Sequence, residues 1–176
     1  MTKALFLDRD GTLIEETGYL KHAAHVRLID GVAENLIQAK ADGFLLFLVT
    51  NQSGIGRGII TEQQFMTTTS QMLLLLGKAG AAVHDLAFCP HAPDSACPCR
   101  KPSPGMVLKL INKYGVDPYQ SWIIGDRDSD VDVASRVPGL RAHRTIKNAR
   151  WPLPYIGAPA HAPRTYLAPS TEVAAG

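Results

Sequence analysis

Leu5-Phe6-Leu7-Asp8-Arg9-Asp10-Gly11-Thr12-Leu13 decides how the rest of the chain is read. Its apolar start has the length of a buried strand. The run ends in two carboxylates one residue apart, and Gly11 then demands a turn where they emerge. Acids at the carboxyl end of a buried strand stand where open α/β sheets bind ligands. One turn therefore offers a nucleophile or metal ligand at Asp8 and a proton carrier at Asp10.

The same grammar recurs downstream. Leu45-Leu46-Phe47-Leu48-Val49 is apolar at every position, as a strand covered on both faces requires, and it leads into Thr50 and the glycine-rich turn Asn51–Gly58. Thr50 can donate to a phosphate oxygen, and a glycine-rich backbone can approach an anion closely. Ile123-Ile124-Gly125 leads into Asp126, with Asp130 a helical turn further on; hard oxygen ligands of this kind suit Mg²⁺. Cys99-Arg100-Lys101-Pro102 supplies a cation suited to a phosphoryl group in transfer.

Strands are expected at Ala4–Leu7, Leu45–Val49, Leu86–Cys89, Trp122–Ile124 and Leu140–His143, alternating with helices at Gly31–Ala41, Glu62–Gly77, Pro104–Tyr114 and Asp130–Arg136. Thr61 and Gln64 have capping-box spacing. Ser103 precedes a proline at a first helical position, and Gly43 and Gly115 punctuate helix ends. Such alternation implies an α/β fold, a Rossmann-like doubly wound parallel sheet with helices on both faces and no large cap domain. Residues 1–150 are expected to form the single domain. The stretch Glu15–Ile29 leaves the first strand as a lid or substrate-facing flap. Residues 151–176 form a Pro/Ala-rich tail, with Trp151 and Tyr155 docking its start.

The composition, 45% apolar and 19% charged, is that of an ordinary globular protein, and a net charge of +2 excludes a strong global pull toward nucleic acid or anionic lipid. There is neither a basic stripe nor an aromatic platform of the kind nucleic-acid binders use. No apolar run approaches bilayer length. Met1-Thr2-Lys3 leads straight into the first strand, so the reading is a cytoplasmic monomer with no nucleic-acid or membrane partner.

All three cysteines lie between Cys89 and Cys99. Cys89, His91, Cys97 and Cys99 make a closed set of four soft or borderline ligands, the pattern of structural Zn²⁺. Cys99 abuts Arg100 and Lys101, so the metal would pin both cations at the cleft.

Asp8-x-Asp10, Thr50, Lys101 and Gly125-Asp126, in this order, resemble the haloacid dehalogenase superfamily of phosphohydrolases over most of Ala4 to His143. The resemblance implies that Asp8 attacks phosphorus to give an aspartyl-phosphate. Asp10 would protonate the leaving oxygen and then deprotonate the hydrolytic water. Thr50 and Lys101 would hold the phosphoryl oxygens, while Asp8, the Asp10 carbonyl and Asp126 would bind Mg²⁺.

With the zinc loop included, the chain is similar to two groups of small phosphatases, one acting on heptose bisphosphates in surface-polysaccharide precursor synthesis, the other the histidinol-phosphatase domain. Thr50–Gly58, Gly18-Tyr19 and Pro102-x-Pro104-Gly105-Met106 are closer to the heptose enzymes. Leu13-Ile14-Glu15, where those enzymes usually carry an asparagine, and Asn148–Pro152 point the other way. By resemblance Glu16, Thr17, Gly18, Tyr19, Asn51, Gln52, Ser53, Arg57, Arg100 and Arg127 line the site for a small phosphorylated metabolite. Removal of the 7-phosphate of a heptose 1,7-bisphosphate is the leading reading and histidinol-phosphate hydrolysis the second. A zinc-stabilised binding protein without catalysis is a third, opposed by the presence of every catalytic residue type.

Overall fold

A computed structural model describes residues 2–150; the tail and its docking residues Trp151 and Tyr155 lie outside them. Five strands, β1 (Lys3–Leu7), β2 (Phe44–Asn51), β3 (Asp85–Cys89), β4 (Trp122–Gly125) and β5 (Arg141–Arg144), form one parallel sheet in the order β3-β2-β1-β4-β5. Five helices intervene: α1 (Val32–Ala41), α2 (Ser53–Gly56), α3 (Glu62–Lys78), α4 (Gly105–Tyr114) and α5 (Asp128–Val131).

The period-2 alternation of strands divides the core in two. Leu5, Leu7, Leu46, Leu48 and Ile124 pack on one face against Val32, Leu36 and Ala39 of α1 and Met72 and Leu76 of α3. Ala4, Phe6, Phe47, Val49 and Ile123 pack on the other against Met106, Val107 and Leu110 of α4. Burial on both faces is why these strands read as unbroken apolar runs. After β1 the chain builds β2 and β3 on one side, then crosses back to place β4 on the other. The turns after β1 and β4 thus diverge at a topological switch point, the crevice where such sheets bind ligands.

The strands lie within a residue or two of their expected limits. The Thr61–Gln64 capping box forms, and Gly43 and Gly115 take φ of 84° and 61°. Three expectations change. Pro104 is the N-cap of α4 rather than its first residue, so Ser103 does not cap it. The helix expected over Asp130–Arg136 is α5 followed by a separate 3₁₀ turn at Ala134–Arg136, because the Asp130 carboxylate accepts from Arg127 N at 3.0 Å and starts the helix early. Glu15–Ile29 is no free flap. A 3₁₀ turn at Ala23–His25, backbone bonds from Glu15 N to Arg27 O (3.0 Å) and from Ile29 N to Leu13 O (3.1 Å), and buried Leu20, Val26 and Ile29 hold it down.

Candidate active site

Asp8 and Asp126 emerge from adjacent strands at the switch point, and Lys101 reaches them from the segment before α4. Its buried ammonium lies 2.7 Å from Asp8 Oδ1 and 2.6 Å from Asp130 Oδ1, and it donates to Val49 O at 2.6 Å. One cation thus faces two buried carboxylates with Asp126 close by. Burial raises Asp8 to about 7, Lys101 pulling it down and Asp130 and Asp10 pushing it up. Burial also raises Asp126, reinforced by Asp130. For Lys101, burial is outweighed by Asp8 and Asp130, which hold its ammonium charged above the ordinary range.

This excess of negative charge fits a divalent cation. Carboxylate oxygens of Asp8, Asp126 and Asp130 lie within 4.8 Å of one another, and Asp126 Oδ1 is buried with no hydrogen-bond partner among the described residues. An all-oxygen donor set of this sort suits Mg²⁺. Asp130 supplies the third carboxylate, and Arg9 and Gln52 draw the Asp10 side chain aside, which leaves the main-chain carbonyl as the ligand expected of Asp10. Gly125 makes room for Asp130: a Cβ there would stand 2.3 Å from Asp130 Oδ2.

The raised Asp8 carries a consequence for stability. In the fold Asp8 keeps its proton to about 7, whereas the unfolded chain releases it near 3.8. The folded state therefore binds more protons in that window, and zinc-loaded protein without Mg²⁺ loses stability as pH rises through it. Buried His143, pushed below its ordinary value, acts in the opposite sense at the acid end. The reference is accordingly Asp8→Asn. Between pH 5 and 7.5 the wild-type melting temperature should decline relative to this variant, and Mg²⁺ at pH 7.5 should restore it. A difference between the two proteins that does not move with pH would contradict the assignment.

Asp8, Asp10, Thr50, Asn51, Ser53, Arg100, Lys101, Arg127, Ser129 and Asp130 line one polar cleft of about 90 Å³. Gln52 lies beneath it, its amide donating to Asp10 Oδ2 (2.8 Å) and Thr50 Oγ1 (2.9 Å). Thr50 accepts that bond and so keeps its own proton to donate. Asn51 donates to Lys101 O and accepts from Lys101 N, both at 3.0 Å, which ties the end of β2 to the lysine segment.

Arg57 donates to the Tyr19 hydroxyl at 2.9 Å, and neither residue is among those lining the cleft. Glu16 is gripped by Arg127 (3.0 Å) and Lys147 (2.7 Å), and these cations hold it below the ordinary carboxylate range although its partial burial acts the other way. Asn148, at φ 56°, accepts from Glu16 N at 2.7 Å and fastens the segment after β5 to the same residue. Thr17 and Gly18 are exposed and are not among the residues lining the cleft. Arg9, Ser129, Lys147 and Asn148 are the site residues that the sequence reading did not assign; Asp130, expected beside Asp126 as a hard oxygen ligand, also pairs with Lys101.

Two of the glycines in Asn51–Gly58 are required by packing. A Cβ on Gly54 would meet the Tyr19 ring at 2.6 Å, and one on Gly56 would meet Ala92 N at 2.5 Å and Pro90 O at 2.7 Å. α2 thereby lies flat on the cysteine loop. In that loop Cys89 Sγ is 3.7 Å from Cys97 Sγ, Cys99 Sγ is 3.5 Å from Cys97 Sγ, and both Cys89 and Cys99 approach His91 Nδ1, at 3.4 and 3.3 Å. Tetrahedral Zn²⁺ with Zn–S bonds of ~2.3 Å sets its sulfurs about 3.7 Å apart. The donor set therefore fits zinc.

The Hydrolase_like family model, described as HAD-hydrolase-like, matches residues 98–142. The D-glycero-beta-D-manno-heptose-1,7-bisphosphate 7-phosphatase of Pasteurella multocida (strain Pm70) is 44% identical over 137 residues, 74% of each chain. Its namesake from Escherichia coli (strain K12) is 39% identical over 138 residues, covering 74% of this chain and 72% of the relative. The crystal structure of D,D-heptose 1,7-bisphosphate phosphatase from B. bronchiseptica, complexed with magnesium and phosphate, superposes with a TM-score of 0.72 at 25% identity, covering 85% of this chain and 94% of that one.

Proposed function

Because this chain belongs to the haloacid dehalogenase-like hydrolases, in the group of heptose-1,7-bisphosphate 7-phosphatases, we propose that it removes the 7-phosphate of D-glycero-D-manno-heptose 1,7-bisphosphate. That step serves ADP- or GDP-heptose precursor synthesis. The observation that carries the reading is the meeting of Asp8, Asp10, Thr50 and Lys101, from three separate stretches of chain, in one polar cleft. The cleft accepts a phosphoryl group and leaves the sugar at the mouth.

Asp8 is the nucleophile. Its carboxylate displaces the sugar oxygen from phosphorus and forms an aspartyl-phosphate, while Asp10 protonates the departing oxygen. Asp10 then takes a proton from the water that attacks phosphorus, and the bond from Asp8 to phosphorus breaks. Thr50 donates its hydroxyl proton and Lys101 its charge to the phosphoryl oxygens. Asp8, Asp126, the Asp10 main-chain carbonyl and Asp130 would hold Mg²⁺. When bound, the ion offsets the repulsion between carboxylate and phosphate. Zn²⁺ on Cys89, His91, Cys97 and Cys99 would fix the loop that delivers Arg100 and Lys101. The enzyme acts in the cytoplasm, as a monomer, on a small phosphorylated metabolite; no helix of the described residues is long and apolar enough to cross a membrane.

The mouth supports a bisphosphate over a cationic amine. Arg100 and Arg127 stand at the cleft, Arg57 is close to Tyr19, and the Glu16 carboxylate is already engaged by Arg127 and Lys147. A second phosphate finds bidentate partners there, whereas histidinol phosphate would have to displace an arginine and a lysine to use Glu16 and is left with the exposed Glu15 as its other carboxylate partner. With zinc-loaded enzyme and Mg²⁺, kcat/KM for the heptose bisphosphate should exceed that for histidinol phosphate by about 100-fold or more, the equivalent of ~2.7 kcal/mol. A preference for histidinol phosphate would refute the substrate assignment while leaving the chemistry intact.

A further inference from the structure

Arg9 lies between the two aspartates of the first turn and is the bulkiest of the fully buried side chains, 2% exposed. Its backbone carbonyl accepts from Leu13 N (2.9 Å) and Ile14 N (3.1 Å), which closes the turn. Its side chain does something else. Nε donates to Asp10 Oδ2 and Nη2 to Asp10 Oδ1, each at 3.0 Å, the parallel fork that fixes a carboxylate's plane as well as its position. On the far side Nη1 donates to Thr69 Oγ1 (2.9 Å) and Thr68 Oγ1 (3.3 Å) of α3, and the guanidinium lies 4.9 Å from the centre of the Phe65 ring. Gln52 accepts weakly from Nη2 at 3.4 Å and gives Asp10 its third donor.

We propose that Arg9 is a positioning residue for proton transfer: anchored on Thr68 and Thr69, it holds Asp10 in one place for both halves of the reaction. The inference rests on the assignment of proton transfer to Asp10 made above. A space-filling role alone would be met better by an apolar side chain of similar volume, since burying a guanidinium costs more than its pairing returns. The fork is also directed. It grips Asp10, whose side chain keeps 18% exposure toward the cleft, and it does not grip Asp8.

The chemistry explains why position matters twice. In the first half a lone pair of Asp8 forms the bond to phosphorus, the bond from phosphorus to the sugar oxygen breaks, and the proton of Asp10 goes to that oxygen. In the second, water forms the new bond to phosphorus, its proton returns to Asp10, and the bond from Asp8 to phosphorus breaks. One carboxylate must reach a leaving oxygen and then a water at nearly the same point. Misplacement by ~1 Å costs about 10²-fold in rate.

The test is a double-mutant cycle. Arg9→Lys keeps the charge and loses the fork; it should lower kcat by about 10- to 100-fold with KM within about threefold of wild type. In an Asp10→Asn background, whose residual turnover is followed by radiolabelled phosphate release, the same change should cost less than about twofold, because the group it positions is gone. Thr69→Val removes only an anchor and should show a smaller loss with the same dependence on Asp10. It decides the matter on its own if Arg9→Lys does not fold. Equal fold-losses in both backgrounds, or no loss in either, would overturn the proposal. A wild type inert toward the bisphosphate would instead overturn the parent assignment of the reaction.

Discussion

Asp8→Asn should abolish phosphate release, with a fall in kcat on the order of 10⁵-fold or more, the scale seen when a covalent nucleophile is removed. The variant should nevertheless be well folded. Asp8 is buried against Asp10 and Asp130, and its burial raises it to about 7, so its charge opposes folding above that pH. Asparagine keeps the shape and removes the charge. At pH 8 without Mg²⁺ the melting temperature should stay level or rise, and added Mg²⁺ should stabilise the variant less than wild type. An inactive variant that melts far below wild type would mean that Asp8 holds the fold together, and the loss of turnover would lose its chemical meaning. Residual activity above about 1% of wild type would exclude Asp8 as the nucleophile.

Lys101→Met should show the reverse pattern, with function and fold lost together. Lys101 joins Asp8 at 2.7 Å, Asp130 at 2.6 Å and the Val49 carbonyl at 2.6 Å from a position only 3% exposed. Methionine fills the space but leaves two buried carboxylates without their cation, a change that costs about 3–5 kcal/mol. Turnover should fall by about 10³-fold, as when a fixed charge on the reacting oxygens is removed. Millimolar Mg²⁺ should recover much of the stability, since it can neutralise Asp8 and Asp130, but it should not recover turnover. Chemical denaturation with and without Mg²⁺ separates the two effects. A midpoint for Lys101→Met equal to wild type without Mg²⁺ would show that Lys101 does not neutralise the pair.

What the sequence made legible were features that repeat along the chain. Apolar strands ending in Asp8, Thr50 and Asp126 are local patterns, and their alternation with helices implies the parallel sheet, though not the order of its strands. Cys89, His91, Cys97 and Cys99 are likewise local, since the spacing alone delivers the ligands. Asp130 was half legible: its distance from Asp126 is one helical turn, but its hold on Lys101 depends on Gly125 having no side chain. Arg9 was given no role because its partners Thr68 and Thr69 lie some sixty positions away on α3. A signal was present. Along α3 the inward stripe runs Phe65, Thr68, Thr69, Met72, Leu76, and two threonines at core positions of an amphipathic helix imply a buried polar partner. Lys147 and Asn148 gave no comparable signal, since the contact of the β5 exit with Glu16 arises only from the closure of the chain over the site. The packing role of the glycines after Thr50 was hidden for a related cause: Gly54 and Gly56 answer to Tyr19 and to the cysteine loop, surfaces that the local sequence does not contain.

Hydrolysis of one phosphate of a heptose bisphosphate in this cleft can be followed by ³¹P NMR of D-glycero-D-manno-heptose 1,7-bisphosphate incubated with zinc-loaded enzyme and Mg²⁺, with Asp8→Asn as control. The 7-phosphate resonance should be replaced by inorganic phosphate, the anomeric 1-phosphate resonance should persist, and the control should leave both intact. Loss of the anomeric phosphate, or no release by the wild type, would contradict the proposed function.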